Sequence, residues 1–123
     1  MKSYKELIIW RKSVDLAKLI YSISSEFPQK EQYILTSQIN RCAISVPSNI
    51  AEGWSRNSTK EFINFLYISR GSLAELETQT IIAKELGYLT DDKLIKIQEY
   101  INELGKMLHV TIVKLKERLT PKC

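Results

Sequence analysis

Apolar side chains recur along this chain every three or four residues, and that spacing predicts helices rather than strands. The pattern is most regular in the last third, where three- and four-residue steps alternate without interruption. A helix should start there after Thr90, because Asp91 and Asp92 favour the positive end of a helix dipole. Its buried seam is expected to consist of Leu94, Ile97, Ile101, Leu104, Leu108, Ile112, Leu115 and Leu119.

The first helix is expected to begin at Ser3, which stands three residues before Glu6 in the spacing of a capping box. It should run to about Ser25, because Phe27 and Pro28 stop it. Two neighbouring apolar stripes predict a wide buried face. One stripe contains Leu7, Trp10, Val14, Ala17 and Tyr21, and the other contains Ile9, Leu16, Ile20, Ile23 and Phe27.

The second helix is expected at about residues 30–52. Pro47 lacks a backbone donor and its ring pushes against the carbonyl four residues earlier, so we expect a bend near Ala43–Pro47. Gly53 is expected to end this helix as the residue that follows its C-cap. The apolar positions are Leu35, Ile39, Cys42 or Ala43, Val46 and Ile50.

The third helix has the clearest start, because Ser58 and Glu61 form a second capping-box pair. It should run until Gly87 stops it. Ser69 and Gly71 lie in its interior, where small residues predict the close approach of a neighbouring backbone. Its seam is expected to consist of Phe62, Leu66, Ser69, Leu73, Leu76, Thr80 and Ala83.

The connections at about 26–30, 53–58 and 87–90 are short, and short connections force neighbouring helices to run antiparallel. We therefore predict an all-α fold, an antiparallel up-down-up-down four-helix bundle, with residues 1–123 as a single domain. A length of 123 residues and a hydrophobic content of 44% suit one core.

Composition also bears on the compartment. No stretch approaches the roughly 20 apolar residues of a membrane span, and Glu6, Arg11 and Lys12 surround an apolar run too short for a secretory signal. The two cysteines, Cys42 and Cys123, form neither a disulfide framework nor a zinc spacing. We expect a reduced, cytoplasmic protein with no membrane partner, in which Cys42 is a core residue.

The predicted topology gathers charge at one end, which we call the basic pole: residues 1–12, 52–61 and 114–123. It carries ten basic and four acidic side chains, a net charge of +6, whereas the whole chain carries +4. Such a pole would bind polyanions in a salt-dependent manner; the same charge is also consistent with solubility alone. The candidate nucleic-acid-binding residues are Lys2, Lys5, Arg11, Lys12, Trp54, Arg56, Lys60, Lys114, Lys116, Arg118 and Lys122.

Three aromatic residues near this pole, Trp10, Trp54 and Tyr4, are candidates for stacking on unpaired bases. Trp10 falls on an apolar stripe, and packing explains it better. Trp54 follows a glycine in a predicted loop and is the better exposed candidate.

No pattern of residues favours catalysis. His109 is the only histidine and has no partners at metal-ligand spacing, and the chain has neither a nucleophile elbow nor a Gly-rich phosphate loop. We expect no enzymatic activity, cofactor, metal or small-molecule substrate.

Four polar residues on the second and third helices, Asn49, Glu52, Arg70 and Glu75, are expected to form a hydrogen-bonded network. A ligand site is the alternative. In the network, Arg70 would pair with Glu52 or Glu75.

One long segment, "LTSQINRCAISVPSNIAEGWSRNSTKEFINFLYISRGSLAELETQTIIAKELGYL", resembles a bacterial four-helix bundle family. Its members include proteins encoded in intervening sequences of large-subunit ribosomal RNA genes, sometimes labelled S23 ribosomal proteins. The opening "YKELIIWRKSVDLAKLIYSISSEFP" fits the same pattern. The chain is also similar to the accessory variability proteins of retroelements, which are basic pentameric bundles that bind nucleic acids.

The resemblance implies a cytoplasmic homo-oligomer, typically a ring-like pentamer, with no catalytic residues, and RNA binding inferred from genomic position and charge. It also implies family-typical positions at Arg41, Asn49, Glu52, Gly53, Arg56, Ser58, Thr59, Glu61 and Glu75. Self-association is predicted separately from "FINFLYI" at 62–68, where Ile63, Tyr67 and Ile68 point away from the seam. The leading hypothesis is a homo-oligomer that binds RNA or another nucleic acid; the alternative is a protein-interaction or assembly scaffold.

Overall fold

The computed structural model describes residues 2–119, in which four helices surround one core. Each helix packs against its neighbours in sequence, and α1 also packs against α4, whereas the diagonal pairs do not approach within 8 Å between Cα atoms. This arrangement confirms the predicted up-down-up-down bundle. The helices are α1 (Ile8–Ser24), α2 (Leu35–Trp54), α3 (Thr59–Glu85) and α4 (Asp91–Leu119), with 3-10 turns at Tyr4–Glu6 and Gln29–Glu31.

The predicted apolar seams form the core. On α3, all seven seam residues are buried. On α4, the six central seam residues are buried, whereas Leu94 is half-buried and Leu119 is exposed, because both lie near the ends of the helix. On α1, the stripe from Ile9 to Phe27 is buried. The stripe from Leu7 to Tyr21 runs along the edge of the core and leaves Tyr21 exposed.

The predicted start of the first helix is wrong by five residues. The Ser3 hydroxyl accepts from the amide of Lys5, and the Glu6 carboxylate accepts from the amide of Lys2, so the expected reciprocal capping box does not form. The segment instead forms a 3-10 turn, in which the amide of Glu6 donates to the carbonyl of Ser3 and the amide of Leu7 donates to that of Tyr4. Leu7 is extended before α1 begins. The turn brings the Tyr4 ring to 5.3 Å from the Trp10 ring, a contact that a continuous helix would not make.

The second helix starts and ends later than predicted. The segment before Leu35 forms a 3-10 turn, and the hydroxyl of Tyr88 donates to Glu31 there. At the other end, Gly53 lies inside α2 and is buried, so its predicted role as a helix stop is wrong. The left-handed residue of this connection is Asn57, with φ of +43°.

Gly53 is needed for a different reason. A Cβ atom at this position would lie 2.6 Å from Cβ of Phe65 and 3.0 Å from Cδ1 of Phe62, both on α3. Real Cβ atoms do not approach so closely, so only glycine permits this separation of α2 and α3. Ser69 contributes to the same contact, because its buried hydroxyl donates to the carbonyl of Val46 on α2.

Both ends of the third helix agree with the prediction. The Ser58 hydroxyl caps α3 by accepting from the amide of Glu61, which is one half of the predicted capping box. Within residues 2–119 the returning bond, from the Ser58 amide to the Glu61 carboxylate, does not form. At the other end Gly87 has φ of +83°, its amide donates to Lys84, and the amide of Tyr88 donates to Ala83, which is a Schellman motif. The close approach predicted at Gly71 is wrong, because that residue is exposed and no atom would lie within 4 Å of its Cβ. Nothing in the structure explains this glycine.

The apolar patch predicted on α3 is smaller than expected. Ile63 belongs to the core, and Tyr67 is half-buried beneath Arg70 and Lys116. Only Ile68 is exposed. The face of α3 that packs inward is wider than one seam because α3 packs on both α2 and α4, and this extra width covers Ile63. Cys42 is buried as predicted, and Cys123 lies outside the described residues. Within residues 2–119, every helix is too short or too polar to span a membrane.

Candidate nucleic-acid interface

Three described segments of the basic pole meet at one end of the bundle. The turn Tyr4–Glu6 packs against α2. The Trp54 ring, at the end of α2, meets the Phe62 ring near the start of α3 in an edge-to-face contact with centroids 6.0 Å apart. The ammonium of Lys116, near the end of α4, lies 5.0 Å from the ring centroid of Tyr67 on α3. The antiparallel helices therefore bring together charges that are far apart in sequence.

Nine of the ten basic residues assigned to this pole lie within the described residues, together with all four acidic ones. Lys122 lies outside them. The nine described basic side chains differ in their contacts with the rest of the protein. These contacts determine which of the nine a polyanion can bind without first breaking an interaction inside the protein.

Four of the nine basic side chains contact other protein groups. Lys12 pairs with Glu103 of α4 at 2.8 Å, and its pKa is raised above the ordinary lysine value, chiefly by the hydrogen bond to that carboxylate. Arg56 pairs with Glu52 at 2.8 Å and also covers the ring of Phe65. The guanidinium of Arg11 donates to a backbone carbonyl of the first turn, and Lys116 lies over Tyr67.

The other five are exposed and make no ion pair with any residue in 2–119. They come from three separate segments, so their convergence depends on the fold. They are Lys2, Lys5, Lys60, Lys114 and Arg118. We call these five residues the open cations.

The aromatic residues of the pole are mainly used for packing. Trp10 is half-buried against the core beside Tyr4, as its position on an apolar stripe predicted. Trp54 is not in a loop, contrary to the prediction. It is the last residue of α2 and packs against Phe62, because the helix continues through Gly53. The contact with Phe62 therefore occupies part of the Trp54 ring, which is half-buried.

The predicted network of four polar residues does not form. Arg70 lies over Tyr67, 4.8 Å from the ring centroid, and none of the ion pairs within residues 2–119 joins it to Glu52 or Glu75. Glu52 instead pairs with Arg56 one turn away on α2. The reason is rotation of the helices: Arg70 is turned towards α4, where it lines a groove, and away from α2.

A different polar contact joins α2 and α3, and small residues make it. The hydroxyls of Ser45 and Ser72 lie 2.8 Å apart, and the Asn49 amide donates to the hydroxyl and carbonyl of Ser45. The Cys42 thiol donates to the carbonyl of Ser72. Burial, with a smaller contribution from nearby Glu75, raises the pKa of this thiol to about 11, so it is not an activated nucleophile.

Sequence reasoning identified Asn49 but missed Ser45 and Ser72. The available signal in the sequence was the presence of small polar residues at regular intervals along both α2 and α3, which is consistent with close contact between the two helices. Within residues 2–119 there is no group of three potential metal-ligating side chains.

Comparison with known proteins agrees with this fold. Among curated proteins, no sequence matches the chain. A crystal structure of a protein with unknown function from the S23 ribosomal protein family of Bacteroides thetaiotaomicron superposes with a TM-score of 0.79. The two are 24% identical, and the match covers 85% of this chain and 95% of the other. The profile of the family described as 23S rRNA-intervening sequence protein matches residues 5–110, as the motif resemblance predicted. The chain therefore belongs to the 23S rRNA-intervening sequence protein family.

Proposed function

We propose that this protein is a non-catalytic, cytoplasmic homo-oligomer whose basic pole binds RNA through its phosphates, without reading base sequence. The observation that carries the proposal is the convergence of the open cations from three segments at one end of the bundle. The family description names an intervening sequence of 23S rRNA, which favours RNA as the polyanion.

Phosphate contact suits the chemistry of this surface better than base recognition. Exposed lysine side chains supply flexible point charges, which bind phosphates but carry little geometric specificity. The two tryptophans that could stack on bases are half-buried and pack against the core. Affinity should therefore depend strongly on salt and weakly on sequence.

Self-association would increase this affinity. The resemblance favours a ring of five copies, and a ring would present one basic pole per copy to the same RNA. Linked weak sites bind far more tightly than single ones when the spacing permits simultaneous contact.

The test is a titration of single-stranded RNA, followed by fluorescence anisotropy, over a series of salt concentrations. The pole variant carries Lys5→Gln, Lys60→Gln and Arg118→Gln. The matched control removes three exposed lysines away from the pole, with Lys18→Gln, Lys30→Gln and Lys96→Gln. Both variants lose the same net charge.

For single strands, each phosphate contact contributes about 0.7 to the slope of log affinity against log salt. The pole variant should therefore bind with a slope smaller by about 2, whereas the control should retain most of the wild-type slope. Equal losses in the two variants, or no RNA binding by the wild type at low salt, would contradict the proposal.

An assembly scaffold that binds protein and not RNA is the second candidate. It is favoured by the groove between α1 and α2, where Tyr33 is 86% exposed and Tyr21 49% exposed beside Ile44 and Arg41. Exposed tyrosine and arginine are typical of protein interfaces. Under this alternative, RNA is not bound at low salt, and Tyr33→Ser prevents recovery of a protein partner that the pole variant still binds.

A further inference from the structure

The groove between α1 and α2 is lined by two exposed tyrosines, Tyr21 and Tyr33, around a hollow of about 570 Å³. No other tyrosine, tryptophan or phenylalanine within residues 2–119 is exposed. The two rings also contact no other aromatic ring of the described chain, whereas the Tyr4, Trp10 and Trp54 rings pack against partners. The faces of Tyr21 and Tyr33 are therefore available to a ligand. We call this hollow the tyrosine groove.

The rest of the tyrosine groove is polar, because Ile44 is its one aliphatic residue among those described. Thr36 and Ser37 are half-buried, and neither hydroxyl makes a hydrogen bond within residues 2–119. Several other hydroxyls of these helices bond to a carbonyl of the preceding turn. Asn40 accepts from Ser24 through its side-chain oxygen, and its amide nitrogen has no partner in the described chain. The lining thus suits a ligand that carries its own hydrogen-bond donors and acceptors.

The charge of the tyrosine groove favours an anion. Arg41 is the one charged residue among the described residues that line it, and it is exposed and makes no ion pair within residues 2–119. The two acidic residues of the connection between α1 and α2 have partners elsewhere in the bundle. Glu26 pairs with Lys93 of α4, and Glu31 accepts from the hydroxyl of Tyr88.

The acidic residues on the two helices themselves are also directed to other partners. On α1 the one acidic residue is Asp15. The pKa of Lys12 is raised chiefly by its hydrogen bond to Glu103 of α4, and the charge of Asp15 adds to this, so Asp15 lies towards the side of α1 that faces α4. On α2 the one acidic residue is Glu52, which pairs with Arg56. The positive charge of the groove is therefore not neutralised by a neighbouring carboxylate.

We propose that the tyrosine groove binds unpaired RNA bases, which stack on Tyr33 and Tyr21 while Arg41 contacts an adjoining phosphate. Exposed aromatic rings beside a cation are typical of surfaces that bind single strands. The free hydroxyls and the Asn40 amide supply hydrogen bonds to base edges or to ribose hydroxyls. Stacking accepts any base, because every base has a π face. Base contact here therefore agrees with binding that does not read sequence.

This inference rests on the proposed function and deepens it, because it names unpaired strands as the form of RNA that is bound. At about 1.5 Å per residue, Arg41 lies about 20 Å along α2 from Trp54 at the basic pole. Past Tyr21 the groove continues towards that pole as a second hollow, lined in part by Val14 and Pro47. One strand that reaches both sites gains affinity from each, because linked sites bind more tightly than separate ones.

The two sites favour different forms of RNA. A surface that contacts only phosphates should bind a duplex at least as tightly as a single strand, because a duplex has the higher charge density. Bases within a duplex are already stacked and paired, so they are not available to the tyrosines. The basic pole alone therefore favours the duplex, whereas the tyrosine groove favours the single strand.

The experiment is fluorescence anisotropy of the full chain with three labelled probes. These are a short single-stranded RNA of mixed sequence, the duplex of that RNA, and the same strand with abasic riboses. The wild type should bind the single strand more tightly than the other two probes. Tyr33→Ser should weaken binding of the single strand by about fivefold to a hundredfold, the contribution of stacking on one ring, and should leave the other two affinities unchanged.

Two matched variants test whether the ring itself is responsible. Tyr33→Phe keeps an aromatic ring and should retain the preference for the single strand. Ile34→Ser removes a neighbouring exposed side chain that does not line the groove, and should also retain it. Arg41→Gln should lower the salt slope for the single strand by about 0.7, the contribution of one phosphate contact. Circular dichroism confirms that each variant is folded.

The outcomes separate this inference from the proposed function. If the wild type binds the duplex or the abasic strand as tightly as the single strand, or if Tyr33→Ser binds the single strand like the wild type, the base site is wrong and binding at the pole stands. Sedimentation without RNA should give Tyr33→Ser the wild-type mass. A lower mass would assign the groove to a second copy and overturn the base site. A wild type that binds none of the three probes at low salt would overturn the proposed function itself.

Discussion

Gly53 is the position where one added methyl group should reveal how closely α2 and α3 pack. In the variant Gly53→Ala, the new Cβ would lie 2.6 Å from Cβ of Phe65, whereas carbon atoms in contact ordinarily lie about 3.5–4.0 Å apart. Cβ of Phe65 is fixed to the backbone of α3, so rotation of the side chain does not relieve the overlap. The helices must separate instead.

The size of the effect follows from two opposing contributions. Overpacking in a core costs about 1–3 kcal/mol, and a backbone-attached neighbour places this site near the upper end. Alanine favours a helix over glycine by about 1 kcal/mol. The free energy of unfolding should therefore fall by about 2 kcal/mol, which lowers Tm by roughly 8 °C in a domain of this length.

Gly71→Ala is the matched control, because Gly71 lies in an exposed part of α3 with no atom near the position of a new Cβ. This variant gains helix propensity without overlap and should be more stable than the wild type by up to about 1 kcal/mol. Urea unfolding followed by circular dichroism measures both variants, and the slope against urea should stay unchanged. A Gly53→Ala protein as stable as the Gly71→Ala protein would refute the close approach of α2 and α3.

Three further predictions concern single groups. Burial raises the pKa of Cys42 to about 11, so a Cys123→Ser protein at pH 8 should react with iodoacetamide only as fast as it unfolds. Mass spectrometry measures the rate of alkylation, and fast alkylation of the folded chain would contradict this. Ser69→Ala removes a buried hydrogen bond to a carbonyl of α2 and should lower stability by about 1 kcal/mol in urea, so an unchanged midpoint would count against that bond. The hydrogen bond from Lys93 lowers the pKa of Glu26 below its ordinary 4.5, so this contribution to stability is present above that pH and is lost as the pH falls through the lowered value. Lys93→Gln should return the pKa of Glu26, measured by NMR titration, towards the ordinary value, and no change would exclude the pairing in solution.

The number of helices and their buried seams could be predicted from the sequence because these features arise from interactions between residues a few positions apart. The α4 seam follows from three- and four-residue steps, and the start and end of α3 follow from Ser58 and Gly87. A capping hydroxyl or a left-handed glycine acts within one turn of its own helix. Short connections then fix the antiparallel order.

The remaining features depend on how far apart two helices lie and how each is rotated about its axis. Gly53 has the sequence position of a helix stop, but the phenylalanines of α3 make it a contact point inside α2. Arg70 has two acidic candidates in sequence, yet rotation of α3 places it over Tyr67 and beside α4. In the same way, Lys12 finds Glu103 across the bundle, while Lys60 remains an open cation. The sequence alone thus determined the helices, their buried seams and their order. Only the tertiary structure decided which side chains meet across helices and which charges stay exposed, because side-chain partners on different helices depend on packing distances and rotations that no local pattern encodes.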